Sequence, residues 1–181
     1  MIPLKAIHKD KEISFSIPQA WDELTLKQFI DLQRWDREDL ITMLSVITGL
    51  EYDVLFASET SGIEELILQN LQWMRTPLDF ESLPVPKEIM IDGKNFDVPQ
   101  DIKEKTFGQK ISLQLYLADA AKEGKFEIDC VAFALAVYFQ PQINENKYNE
   151  DEAKKLLPII EQCRFIDAYP VANFFLSKFL E

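Results

Sequence analysis

Few side chains in this sequence could carry acid–base or nucleophilic chemistry. The single histidine, His8, falls in an alternating stretch that predicts a β-strand. A serine or cysteine nucleophile needs a histidine or another base within hydrogen-bonding reach, and no second candidate base of this kind is present. Cys130 lies in an apolar run and Cys163 in a helical pattern, without the CxxC spacing of a redox pair or a zinc site. We expect all three to be structural residues.

Carboxylates and tryptophans are the remaining groups that could form a site. The carboxylates cluster at residues 36–39 and 150–152, and such runs are usually solvated helix caps rather than acid–base pairs. Trp21, Trp35 and Trp73 could form an aromatic binding surface, but core packing is the stronger expectation. HExxH, EF-hand and glycine-rich phosphate-binding motifs are absent from the sequence. The sequence therefore predicts no catalytic, cofactor-binding or metal-binding residues, and no enzyme.

The charge balance restricts the classes of partner. Thirty-one acidic residues against 19 basic ones give a net charge of −12. Nucleic-acid binding needs lysine and arginine to displace counterions, so it is not expected, and anionic membranes are disfavoured for the same reason. The longest apolar run, Cys130–Phe139, is too short to span a bilayer, and the N-terminus lacks an apolar signal segment. We expect a protein without a membrane partner, made in a reducing compartment.

One stretch of the chain occurs twice. Residues 15–33 and 96–114 align at an offset of 81 with nine of nineteen positions identical, where chance would give about one. In each copy an apolar strand ends at a proline, and a Thr-x-x-Gln capping box then predicts a helix start. The capping residues are Thr25 and Gln28 in the first copy and Thr106 and Gln109 in the second. The alternative is a polar docking strip made by Gln19, Gln28 and Gln33.

The elements around this repeat give the fold class. A proline-rich linker at residues 83–86 predicts a boundary between modules 1–83 and 84–181. Each module begins with a hairpin, the first turning at Lys9–Lys11 and the second at Asp92-Gly93. Helical patterns follow in both modules. We predict an α+β, predominantly helical fold built by tandem duplication of a β-hairpin-plus-helices module.

The second module holds the candidate partner contacts. A helix over 127–139 is apolar on nearly every side, and its segment Ala132–Val137 is expected to be the most buried. Residues 140–147 have the composition of a polar loop, and a final helix is expected from Pro170, after a helix that Pro158 kinks or divides. The candidate contact residues in these two segments are Gln140, Gln142, Asn144, Phe174, Phe175 and Phe179. For Phe174 and Phe175 a place in the module's own core is an equal alternative.

Several segments resemble a known family. They read IPQAWDELTLKQF, LSVITGLEYDVL, ALAVYFQP, YNEDEAKKLLPIIE and AYPVANFFL, and together they span most of the chain. In these the chain resembles small acidic morphogenesis proteins of tailed bacteriophages, of the kind found in structural gene blocks of phages infecting Bacteroidetes, including the crAss-like group. The resemblance implies other phage structural proteins and copies of the same chain as partners, in the virion or in the host cytoplasm during assembly.

Two roles follow from the resemblance, and neither carries catalytic residues. The first is a virion structural protein, a ring or adaptor subunit of the portal-to-tail connector. The second is a tail assembly chaperone that holds an aggregation-prone partner and then leaves. A third class, a host-directed inhibitor that mimics nucleic acid by its negative charge, is less favoured.

Overall fold

The chain divides into two compact units, Met1–Leu78 and Asp79–Glu181. The structure, a computed structural model, describes residues 1–35, 39–58, 67, 69–76, 78–79, 82–99, 107–124, 127–145 and 147–180. The fold class is α+β, with two small two-stranded sheets and seven α-helices among the described residues. The boundary predicted at residue 83 lies close to the point where the two units divide.

The first unit opens with the predicted hairpin. Strand β1 (Ile2–His8) pairs antiparallel with β2 (Lys11–Ile17), and the register places Ile2 opposite Ile17. The two loop residues, Lys9 and Asp10, have φ of 49° and 60°. Positive φ at both positions is the type I′ pattern, whose twist matches that of the paired strands.

Three helices complete the described part of the first unit. They are α1 (Leu26–Gln33), α2 (Leu40–Thr48) and α3 (Tyr52–Phe56). Helix α2 packs against α1, α3 and strand β2, because its Met43, Leu44 and Ile47 form one buried stripe. Only part of the helix predicted over 63–75 is described, and its last residues form a 3₁₀ turn at Gln72–Arg75.

The predicted capping box of α1 is confirmed. The Oγ1 of Thr25 accepts from the N–H of Gln28 at 3.2 Å, and the Oε1 of Gln28 accepts from the N–H of Thr25 at 2.9 Å. Thr106, its equivalent in the repeat, lies outside the described residues. We expect Thr25→Ala to lower the free energy of unfolding by about 1 kcal/mol, because it leaves a helix N–H without its acceptor. Urea unfolding of the two proteins measures this, and an unchanged midpoint would contradict the role of the cap.

The second unit opens with the second predicted hairpin. Strand β3 (Glu88–Ile91) pairs antiparallel with β4 (Lys94–Asp97). Asp92 and Gly93 form the loop with φ of 50° and 73°, again the type I′ pattern that an Asp-Gly pair favours.

Four α-helices follow among the described residues, and the second of them is the centre of the unit. They are α4 (Phe107–Lys122), α5 (Val131–Ile143), α6 (Glu150–Ile160) and α7 (Phe165–Leu180), with a 3₁₀ turn at Glu127–Cys130 before α5. Helix α5 packs against α4, α6 and α7. Every residue of Ala132–Val137 is at most 4% exposed, so the burial predicted for this segment is confirmed.

Three prolines lie inside these helices, contrary to the local rules applied to the sequence. Pro141 lies in α5, which continues to Ile143, so the first half of the predicted polar loop is helical. Pro158 lies within α6 and does not divide it, and Pro170 lies within α7, which begins five residues earlier, at Phe165. At Pro158 and Pro170, burial of apolar side chains on both sides of the proline stabilises the helix enough to offset a missing hydrogen bond, and at Pro141 the buried residues precede the proline.

Neither a membrane span nor a metal cluster is found in the described part of the chain. None of its helices combines the length and the apolar character needed to cross a bilayer. The same residues contain no group of three His, Cys, Asp or Glu side chains that could hold a metal ion.

Candidate protein-contact surfaces

The phenylalanines of α7 have different environments. Phe175 is fully buried, its ring stacked 3.8 Å from Tyr138 and edge-on to Phe139 at 5.7 Å. Phe174 is half-buried and lies 5.7 Å from Phe175. The side chain of Phe179 lies outside the described residues. Phe175 therefore belongs to the core of the second unit, the predicted alternative to a partner contact.

The predicted polar contacts lie around the end of α5. Gln140 is 1% exposed, and its Oε1 accepts from the backbone N–H of Asn149 at 2.8 Å, which connects the end of α5 to the start of α6. Gln142 is exposed and Asn144 is half-buried. An open polar cavity of about 920 Å³ brings Gln140 and Asn144 together with Lys147, Asn149 and Glu152.

The repeated glutamines make a contact that the capping pattern does not predict. In the first unit the Nε2 of Gln28 donates to the backbone carbonyl of Ile47 in α2 at 2.8 Å. In the second unit the Nε2 of Gln109 donates to the backbone carbonyl of Val137 in α5 at 3.0 Å. The equivalent glutamine of each copy thus fixes its helix to the next long helix of the same unit.

Each of these carbonyls lacks the usual helical donor. Ile47 lies in the last turn of α2, where carbonyls have no N–H four residues further along the helix. Val137 lies four residues before Pro141, and proline has no N–H to donate. The glutamine side chain therefore supplies the missing hydrogen bond, and the spacing Val137–Pro141 is the sequence signal that could have revealed it.

We expect Gln109→Leu to lower the free energy of unfolding by about 1–3 kcal/mol, because it leaves a buried carbonyl without a donor. The matched control is Gln114→Leu, at an exposed position of the same helix, which should change it by less than about 0.5 kcal/mol. Urea denaturation followed by circular dichroism compares the two. Equal stabilities for both variants would contradict this role of Gln109.

Helix α4 carries an apolar face that the described structure leaves open. Phe107 is 81% exposed, Ile111 37% and Leu115 59%. Their spacing of four places them on one side of the helix, and exposed Ala118 continues the same side. The opposite side, with Gln109, Ser112, Leu113 and Ala120, is buried. We call the face made by Phe107, Ile111, Leu115 and Ala118 the α4 face.

The same positions of the repeat are buried in the first unit. Phe107 aligns with Leu26 of α1, which is 0% exposed, and Ile111 aligns with Ile30, which is 6% exposed. This side of the helix is therefore buried in the first unit, whereas it is exposed in the described part of the second unit.

A second exposed apolar group lies on α3 in the first unit. Tyr52 is 40% exposed and Phe56 67%, and their rings stack with centroids 5.9 Å apart and planes 13° apart. Glu51 and Asp53 lie beside them and are also exposed. We call Tyr52 and Phe56 with these two carboxylates the α3 knob.

The tryptophans connect elements of the first unit. The indole N–H of Trp73 donates to the carbonyl of Pro18 at 3.0 Å, and that of Trp35 donates to the carbonyl of Asp39 at 2.8 Å. The rings of Trp21 and Trp73 meet edge to face at 4.9 Å. All three side chains are half-buried, and these contacts hold them against neighbouring parts of the first unit.

The carboxylates act as caps and ion-pair partners. Hydrogen bonds from the Thr42 hydroxyl and from the backbone hold the pKa of Asp39 below its usual value. Lys154 and Ser112 likewise lower the pKa of Glu150, in the first turn of α6. A carboxylate that stays ionised in this way is a poor general acid at neutral pH. The remaining residues of the cluster that contains Asp39, residues 36–38, lie outside the described residues.

Cys163 is a buried, protonated thiol. It is 5% exposed and borders a cavity of about 430 Å³ between the β3–β4 loop, the end of α6 and the start of α7. Burial, with a contribution from the charge of Asp167, raises the pKa of the thiol to about 11. The thiolate is the nucleophile, so Cys163 is unreactive at neutral pH.

Because the pKa of the Cys163 thiol is raised, the folded protein should lose stability at alkaline pH. The thiol of the unfolded chain ionises near pH 9 while the folded thiol does not, so stability present below pH 9 is lost as the pH rises toward about 11. The slope from this group is about 1.4 kcal/mol per pH unit. We expect urea unfolding of Cys163→Ala to show a flatter pH dependence over this range than the wild type. Identical slopes would contradict the assignment.

Comparison of the chain with protein-family models, with curated proteins and with solved structures gives no match in any of the three.

Proposed function

We propose that this chain is a non-enzymatic structural protein of a tailed bacteriophage virion. Its role is that of a ring or adaptor subunit at the junction of portal and tail, where it acts by repeated contacts with other structural proteins and with copies of itself. The sequence segments that resemble phage morphogenesis proteins support the class of protein. The exposed apolar surfaces support the mode of action.

The α4 face is the observation that carries the proposal. A chain with a net charge of −12 has ample polar residues for its surface, yet this helix exposes Phe107, Ile111 and Leu115 side by side. Contiguous exposed apolar side chains of this kind mark protein-contact sites.

We infer that the two units arose by tandem duplication of one module, which supports the same role. Both units contain a two-stranded hairpin with a type I′ loop, then a helix whose glutamine donates to a carbonyl of the next long helix. Nineteen-residue copies with nine identities connect these features in the sequence. Two related modules in one chain provide two sets of surfaces, as a subunit with a neighbour on each side requires.

A tail assembly chaperone is the second candidate, and the α4 face is again the observation that favours it. An apolar helix face can hold an apolar segment of a partner during assembly and release it later. The two candidates differ in whether the chain remains in the finished particle.

Mass spectrometry of purified particles of the phage that encodes the chain separates the two. A ring or adaptor subunit should be present in a fixed ratio to the portal protein. Particles that contain none of this chain would contradict the structural role and support the chaperone.

A further inference from the structure

We propose that copies of this chain bind one another head to tail, with the α3 knob of one copy docked on the α4 face of the next. The proposal rests on the function proposed above and identifies the contact that would build the ring. The two surfaces belong to different units of the chain, so the contact is heterologous and propagates from copy to copy.

Both surfaces expose apolar side chains, arranged differently on the two helices. The α4 face presents Phe107, Ile111 and Leu115 as a row on a helix of sixteen residues. These side chains are exposed, so a second molecule can reach them. The α3 knob presents one pair of stacked rings, Tyr52 and Phe56, on a short helix. A compact aromatic pair against an open helix side is the anchor-and-surface arrangement typical of the centre of protein interfaces.

Charge complementarity identifies the occupant as a second copy. Helix α4 contains two lysines and one aspartate, Lys110, Lys122 and Asp119, and so carries +1 in a chain of −12. The α3 knob carries two exposed carboxylates, Glu51 and Asp53. Lys110 borders the apolar row, where it could meet these carboxylates in the neighbouring copy. Opposite charges at the rim of an apolar contact fix its orientation and register.

The repeat points to the same face. In the first unit the equivalent positions, Leu26 and Ile30, are covered within the chain. In the second unit Phe107 and Ile111 are exposed, so a second copy docked on the α4 face would give them the burial that Leu26 and Ile30 have in the first unit.

Mixing two variants tests the contact. One variant, Phe107→Ser with Ile111→Ser, alters the α4 face, and the other, Phe56→Ser, alters the α3 knob. The substituted side chains are exposed, so both variants should keep the wild-type circular dichroism spectrum. At about 100 μM, a concentration suited to weak, transient interfaces, sedimentation velocity of the full wild-type chain should show assemblies larger than a dimer. Each variant alone should be a monomer. The two variants mixed should form a heterodimer and nothing larger, because one intact pair of surfaces remains.

Charge reversal supplies a second, independent readout. Lys110→Glu should weaken wild-type assembly at least about tenfold, and the additional substitutions Glu51→Lys and Asp53→Lys should restore it, since the opposite charges then meet again. Lys94→Glu, the same charge reversal at an exposed position of β4, is the matched control and should leave assembly unchanged.

Three results would overturn the proposal. They are a wild-type chain that stays monomeric, a Phe56→Ser variant that assembles like the wild type, and variants that fail to pair when mixed. The proposed function is tested separately, because a chain that is monomeric alone but present in particles would retain its structural role. A chain that assembles but is missing from particles would retain the contact.

Discussion

Ala134→Asp should abolish the soluble expression of this protein. Ala134 is completely buried, with 0% of its surface exposed to water. It lies in α5, which contacts the other three helices described in the second unit. An aspartate there would leave a charge buried without a partner, which costs on the order of several kcal/mol even after the surrounding structure relaxes. That penalty approaches the total stability of a typical domain, which is about 5–15 kcal/mol.

The matched control is Ala121→Asp, the same change at an exposed position of α4. Its effect on the free energy of unfolding should stay within about 1 kcal/mol, since the charge remains in water. Soluble yield and thermal melting measure both variants in parallel. Wild-type yield and melting temperature for Ala134→Asp would show that α5 is not the centre of the unit.

Phe175→Ala should lower the stability of the second unit by about 3–5 kcal/mol, the cost of removing a buried aromatic ring. The ring is 0% exposed and contacts Tyr138, Phe139 and Phe174, so its removal leaves a cavity between α5 and α7. Truncation before Pro170 should have the larger effect of unfolding the unit, because it cuts α7 and removes Val171, Ala172, Phe175 and Leu176 from the core.

Ser177→Ala, at an exposed position two residues further along α7, is the control and should change stability by less than about 0.5 kcal/mol. Urea unfolding followed by helical circular dichroism compares these proteins. A truncated chain that keeps its second unit folded, or a Phe175→Ala variant with wild-type stability, would place the ring at an interface and not in the core.

The parts of the fold that could be predicted from the sequence are those set by the chemistry of neighbouring residues. The Asp92-Gly93 loop and the Thr25 capping box both depend on a few neighbouring residues. The apolar run in α5 likewise indicated a buried helix without knowledge of its partners.

The remaining features depend on tertiary contacts that local patterns do not contain. Pro141, Pro158 and Pro170 lie inside helices because packing, and at Pro141 the Gln109 side chain, offsets their local cost. The exposed side of α4 could not be predicted for a related reason. Its apolar residues are distributed around the helix, so periodicity could not indicate which side faces the core.

The central claim is that an exposed apolar face of this chain makes a contact in the virion. Incorporation of the Phe107→Ser, Ile111→Ser variant into particles of a phage that lacks its own copy of the gene tests it most directly. The variant should be soluble and folded, yet at least about tenfold depleted from purified particles relative to the wild type, a factor equivalent to about 1.4 kcal/mol of contact free energy. Wild-type incorporation of the folded variant would contradict the claim.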